Sequence, residues 1–366
     1  MYFINLKENS GFVVLSAYIG ERPILAYADE GSFDMEKVAD YEGVNDWVLT
    51  KYLKITGMRN LEIPPSNDAL NQWNALGGAI GGIGLVDNDG NPIHWDPPVL
   101  VSEDTETHGP LLEDIAWRQR NGTSTTYVMY NNTVRYNNCA AGTAPAGCGA
   151  VAMGQIMKYH NHPNIYNIAT MYPYIDYNTP YAYNTQPAFD IASFLGNIGA
   201  NVQMQYSCNG SGAKSQNAMM AFNNAYHYTT DALSNIDLNT IKADVINGKP
   251  VYLDGYREMK VVITQTPRKF IGRMTIGRTK TKTVYDEGHA WVADGYEKIT
   301  GYYHNPNNNT YFYAKISDHV HMNWGWGRHS FNGWYDYDTW TDIDGLIINS
   351  VQFIYNQHMI SNITPN

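Results

Sequence analysis

The run Pro145-Ala146-Gly147-Cys148-Gly149-Ala150-Val151-Ala152-Met153-Gly154-Gln155-Ile156-Met157-Lys158-Tyr159-His160 sets a thiol where a small-residue turn gives way to an amphipathic helical pattern. The first N–H groups of a helix have no intrahelical acceptors, and the positive end of its dipole lies there. A cysteine in that place is stabilised as a thiolate. Elsewhere on a helix a cysteine is simply a small apolar core residue. The two readings part on whether the chain also supplies a base, a group to orient it and donors for an oxyanion.

It nominates all three. Gly288-His289-Ala290-Trp291-Val292-Ala293-Asp294-Gly295-Tyr296 reads as a short strand headed by His289 and closed by a turn-forming Asp-Gly. In His321-Met322-Asn323-Trp324-Gly325-Trp326-Gly327 an amide, Asn323, is followed by an indole, Trp324, able to shield it from water. Upstream, Trp117-Arg118-Gln119 offers a side-chain amide donor, Gln119. The chain order is thus Gln, Cys, His, Asn. Another Cys-His amidase or transferase would share this chemistry, and a catalytically silent surface-binding protein could retain the same scaffold.

The order and the local sequences resemble the streptopain family of papain-like cysteine peptidases. The stretch from Gly147 to Pro163, centred on Gln155-Ile156-Met157-Lys158-Tyr159-His160-Asn161, is similar to that family's nucleophile helix. Gly288-His289-Ala290 and Asn323-Trp324-Gly325-Trp326-Gly327 are similar to its other two signatures. Gly109-Pro110-Leu111-Leu112 and Asn247-Gly248-Lys249-Pro250-Val251-Tyr252 add weaker matches, and together these cover most of residues 108–340. The resemblance implies an α+β fold in which a nucleophile helix packs against an antiparallel sheet domain carrying His289 and Asn323. It also implies roles: Cys148 attacks the peptide carbonyl, His289 protonates the leaving amine, and Asn323 fixes the imidazole tautomer. Trp324 keeps that bond dry, and Gln119 with the Cys148 N–H binds the oxyanion. Protein or peptide substrates are implied, with no cofactor, and the family is exported.

The first hundred residues read differently. Tyr2–Ile4 and Gly11–Ser16 form a hairpin pattern around Glu8-Asn9-Ser10-Gly11, and Pro23–Tyr27 continues it. Val44, Trp47, Val48, Tyr52 and Ile55 then recur near the 3.6-residue period of a helix. This small α+β unit resembles the inhibitory pro-domain of the streptopain family, notably in Gly11-Phe12-Val13-Val14 and Gly31-Ser32-Phe33-Asp34. The chain then divides into a pro-domain with linker over 1–104 and a peptidase over 105–366, with the pro-domain as intramolecular inhibitor. The glycine-dense segment 77–84 is a candidate to lie in the cleft, since backbone without side chains approaches closely. Residues 97–107, acidic and aperiodic, read as an exposed, cleavable linker.

Composition narrows the function classes. With 366 residues and 43% hydrophobic content the chain can bury a large core, and a net charge of -11 argues against a general nucleic-acid binder. No apolar run reaches the roughly 20 residues that span a bilayer. Met1 is followed directly by strand-like sequence, so we expect it to stand in place of a removed targeting segment. Three cysteines, at 139, 148 and 208, leave at least one thiol outside any pair, and spacing alone does not decide whether the other two join. His160-Asn161-His162 and His319-Val320-His321 lack the cysteine or carboxylate framework of a zinc site, so no metal is expected. Between Arg257 and Lys282 stand eight Lys or Arg and one acid, in an insertion relative to the family that reads as a projecting β-hairpin. Its charges suit a solvated edge.

Overall fold

The computed structural model describes residues 1–36, 38, 42–60, 65–66, 69–70, 72–73, 99–119, 144–175, 185–208, 210–265, 269–271, 274–276, 279–305, 309–328, 331–336 and 355–366. Everything below concerns these. The glycine segment 77–84, Pro97-Pro98 and Cys139 lie outside them.

The N-terminal hairpin pattern becomes β1 (Tyr2–Asn5), β2 (Phe12–Leu15) and β3 (Ile24–Ala28), paired antiparallel in that order. Helix α1 (Glu42–Asn60) follows, with Val44, Val48 and Ile55 buried as the periodicity requires. Tyr52, expected on that face, is instead 53% exposed. The buried position beside it is Lys51, whose long apolar stem fills the inner face while its ammonium reaches a carboxylate.

The segment read as a cleavable linker is a strand. Strand β4 (Val99–His108) pairs with β9 (Thr279–Asn305) from Val99↔His304 to His108↔Tyr296. Its outward-facing polar side chains on both faces erase the hydrophobic alternation that marks a strand, so only the backbone ladder reveals it. Exposed Glu103, Asp104 and Glu106 also discourage further edge pairing.

The helical layer comprises α2 (Cys148–His160), α3 (Gln186–Asn201), α4 (Ser215–Asn224) and α5 (Leu238–Ile246), with the two-residue β5 (Tyr228–Thr229) between the last two. Then come β6 (Val251–Gln265), the small hairpin β7 (Lys269–Ile271) and β8 (Met274–Ile276), and β9. After these lie β10 (Thr310–Asn323), β11 (Gly333–Asp336), β12 (Tyr355–Ile360) and β13 (Thr364–Pro365). A hairpin is present, but its pairing differs from the expectation of residues 260–264 against 270–276 around 267–269: β6 and β9 stay paired from Val251↔Ala293 to Gln265↔Thr279, and β7 pairs with β8. His289 therefore sits inside a long strand rather than at the head of a short one.

Among the described residues one nine-stranded sheet runs β1-β2-β3-β11-β10-β9-β6-β12, with β4 also on β9. Its pleat divides the core. Ala290 and Val292 of β9 and Tyr252 of β6 pack with α2, α3 and α4. Trp291 and Ala293 pack on the other side with Leu253, Tyr335 and the N-terminal residues Phe12, Leu25, Phe33, Val44 and Val48. Asp294-Gly295, expected to turn, continues the strand. Here the register against β10 shifts, His321 facing Gly295 and Met322 facing Ala293, so Asp294 is the extra residue of a bulge. The Asp294 carbonyl accepts from Leu111 N (2.7 Å) and its carboxylate from Leu112 N (3.0 Å) and His321 Nδ1 (2.6 Å). The bulge thus anchors the segment leading to Gln119.

Gly109 crosses this bulge at φ +82°, and a Cβ there would collide with the Asp294 carbonyl oxygen. Gly109→Ala should therefore lower stability by about 2 kcal/mol or more, whereas Gly210→Ala, whose Cβ meets open space, should change it little. Denaturant midpoints of the two variants check this.

Candidate active site

The start of α2 is built by backbone freedom and close packing. Gly147 precedes the helix at φ +94°, where a Cβ would press on Met204 at 2.5 Å and on the Ser211 carbonyl at 3.2 Å. Cys148 is the first helical residue, partly exposed, and carries no disulfide; Cys208 is disulfide-bonded. The Tyr252 hydroxyl lies against the same turn, 3.2 Å from where a Cβ on Gly149 would be. Burial and nearby negative charge, first that of Asp254 and then that of Cys148, push the Tyr252 phenol up, so it stays protonated.

Gln119 is brought to Cys148 by backbone. Its carbonyl accepts from Ala146 N (3.2 Å), two residues before the thiol, and its side chain is buried. Next to it Arg118 bridges Trp326, and the Trp117 carbonyl accepts from Gly327 N (3.2 Å). The Gln119 and Asn323-Trp324-Gly325-Trp326-Gly327 segments therefore meet beside the helix start.

Asn323 is buried and its amide makes three hydrogen bonds. Oδ1 accepts from Gln155 Nε2 (3.2 Å) and Gly325 N (3.1 Å), and Nδ2 donates to the Ile115 carbonyl (2.8 Å). Gln155 Oε1 in turn accepts from Trp117 N (2.8 Å). Gln155 thus ties α2 to both segments, a role the sequence reading passed over. The signal was there: seven residues from Cys148, it shares the thiol's helix face, and it is a polar residue in an apolar run.

The expected bond from Asn323 to the imidazole is not formed in this structure. His289 Nε2 instead donates to the Trp324 carbonyl (3.0 Å), which leaves Nδ1 as the basic nitrogen of the neutral ring; Nδ1 is buried and without a hydrogen-bond partner. The ring lies parallel to Trp326 (centroids 5.1 Å, 6°) and to Trp291 (6.0 Å, 11°). Trp324 is 6.5 Å away at 24° and is itself buried edge-on against Tyr335. Enclosure among indoles lowers the His289 pKa to about 4, partly offset by the Trp324 carbonyl. At neutral pH the ring is uncharged and so supplies no imidazolium to stabilise a thiolate.

With His289 uncharged, alkylation of Cys148 in the full-length chain should show no His289-dependent reactive shoulder below pH 6. Iodoacetamide modification followed across pH 4–9 tests this. The shoulder should appear once the N-terminal region is removed, and His289→Ala should abolish it.

With this geometry in view, the comparisons are specific. A model of the Peptidase C10 family matches residues 125–335, and one described as Spi protease inhibitor matches residues 1–52. Streptopain of Streptococcus pyogenes is 22% identical over 361 residues, covering 89% of this chain and 71% of the relative, and streptopain of serotype M1 aligns equally. The solved structure of a prointerpain A fragment of Prevotella intermedia, a cysteine-to-alanine mutant, shares the fold at TM-score 0.54 and 17% identity, covering 100% of this chain and 99% of that one. Matched over more than half its length, the chain belongs to the Peptidase C10 family and is a cysteine-type peptidase with an N-terminal inhibitor domain.

Proposed function

We propose that the chain is the zymogen of an exported endopeptidase working through a Cys148–His289 dyad. The observation that carries this reading is the placement of Cys148 at the first turn of a buried helix, beside Gln119 and the histidine strand. In the active enzyme Cys148 Sγ bonds to the scissile carbonyl carbon, having given its proton to His289 Nδ1. The oxyanion is held by the Cys148 N–H and the Gln119 amide. As the tetrahedral species collapses, His289 returns the proton to the departing amine and a thioester remains. Water, deprotonated by His289, then splits the thioester and restores the thiol. The Trp324 carbonyl orients the imidazole, Trp326 covers its face, and Asn323 holds the surrounding scaffold.

Latency has a physical basis in the inhibitor domain. Its β3 pairs with β11 of the peptidase through Tyr27↔Trp334 and Ala26↔Tyr335. Arg22 (2.8 Å) and Lys51 (3.0 Å) both meet buried Asp336, and Tyr27 Oη donates to Glu297 (2.7 Å). The indole box around His289 belongs to the same core cluster as Phe33, Val44 and Val48. We infer that docking of the inhibitor domain keeps that cluster closed on the imidazole. Because β4 is fully paired on β9, we place the maturation cut before Val99 and assign β4 to the mature enzyme. Export accords with the disulfide at Cys208, a bond that persists in oxidising compartments.

Full-length protein should be nearly inert towards casein, and a chain cut before Val99 and separated from its N-terminal fragment should be active. Cys148→Ala and His289→Ala should each abolish hydrolysis and self-processing without unfolding the chain. Equal activity of cut and uncut protein would reduce the first domain to an accessory, and casein cleavage by Cys148→Ala would overturn the nucleophile.

A further inference from the structure

Three titratable side chains occupy one row across the sheet at the seam with the inhibitor domain. His319 of β10 faces Glu297 of β9 on one side and Asp336 of β11 on the other, and all three are buried. His319 is 2% exposed; its Nδ1 stands 3.9 Å from Glu297, too far for a hydrogen bond. The N-terminal domain closes the row. Tyr27 of β3 sets its ring edge-on to the imidazole (5.6 Å, 86°) and donates to Glu297. Arg22 and Lys51 neutralise Asp336. The charged and titratable groups facing His319 among the described residues are therefore Glu297, Asp336, Arg22 and Tyr27, with Lys51 acting through Asp336.

We propose that His319 is a proton-operated release for the inhibitor domain, neutral while the domain is docked and protonated when it leaves. This rests on the reading of the N-terminal domain as a docked inhibitor. In the docked state burial, with a smaller contribution from Arg22, opposes a proton on His319 and outweighs the pull of Asp336, Glu297 and the Ile24 backbone, so its pKa is held below the ordinary value. When β3 departs it takes Tyr27, Arg22 and Lys51 with it. Water then reaches His319, which lies between two carboxylates without competing cations, and its pKa returns to about 6.5 or higher. The separated state binds one more proton than the docked state. Linkage then requires docking to weaken as pH falls through the undocked value, by about tenfold per pH unit, until the docked value is reached. Docking is at full strength above that window. The same row thus couples acidification to exposure of the peptidase.

The test uses the full-length chain with Cys148→Ala, so that docking is read without self-cleavage. Hydrogen exchange of the β3 and β11 amides, corrected for intrinsic rate, is followed from pH 8 to pH 5. Protection should fall by about tenfold per unit below about pH 6.5, while amides of α2 keep theirs. Adding His319→Gln should flatten the dependence, and His319→Phe serves if the Gln variant does not fold. A flat profile with His319 present, or an unchanged slope in either variant, would overturn the proposal. So would an imidazole resonance of His319 that titrates at 6.5 or above in the uncut chain, a measurement that needs no variant. Absence of any protection in β3 at pH 8 would instead refute the docked-inhibitor reading itself.

Discussion

Strand β9 is the member on which the rest of the molecule depends. It pairs with β6, β10 and β4 along 27 residues, and its pleat sends alternate side chains to two different cores. Ala290 and Val292 meet the helices that carry the thiol, whereas His289 stacks with Trp291 and Trp326, residues of or against the core shared with the N-terminal domain. The imidazole is thus lined by the core shared with the N-terminal domain, whereas Cys148 packs against the helical core. Packing on that side of the sheet therefore governs how deeply the imidazole is buried and so how readily it takes a proton.

The bulge at Asp294 lets this one strand serve both purposes. Before it, Trp291 and Ala293 point into the shared core; after it, Tyr296 does, so the phase of the pleat has changed by one residue. Glu297 is thereby turned away from that core and into the row with His319 and Asp336. The buried carboxylate of Asp294 is satisfied by Leu112 N and His321, which offsets the cost of placing an acid there.

Much of the fold and site could be read in the residues. The small-residue entry to α2, the apolar period of α1 and the alternating N-terminal strands each carry a local pattern, and apart from Tyr52 each appears where expected. The segments bearing Gln119, Cys148, His289 and Asn323 do meet. Other features depend on partners distant in sequence. Val99–His108 shows no alternation because neither face is apolar, so its pairing is set by β9 alone. Asp-Gly at 294–295 is a turn signal by propensity, overridden by strands on both sides. Asn323 looked like the imidazole's partner, but a main-chain carbonyl holds the ring, and backbone acceptors leave no trace in residue identity.

The β3–β11 seam bears on what happens after the chain is cut. The strand edge vacated on β11 is only four residues long and ends in Asp336, a short charged edge of the kind that discourages pairing with strangers. It remains complementary to one strand in particular, the one that left. Severing the covalent link removes the high local concentration of the inhibitor domain but none of its contacts. On the reading proposed above, the released fragment would act as a product inhibitor, and enzyme made at high density would restrain itself until dilution or destruction of the fragment lets it go.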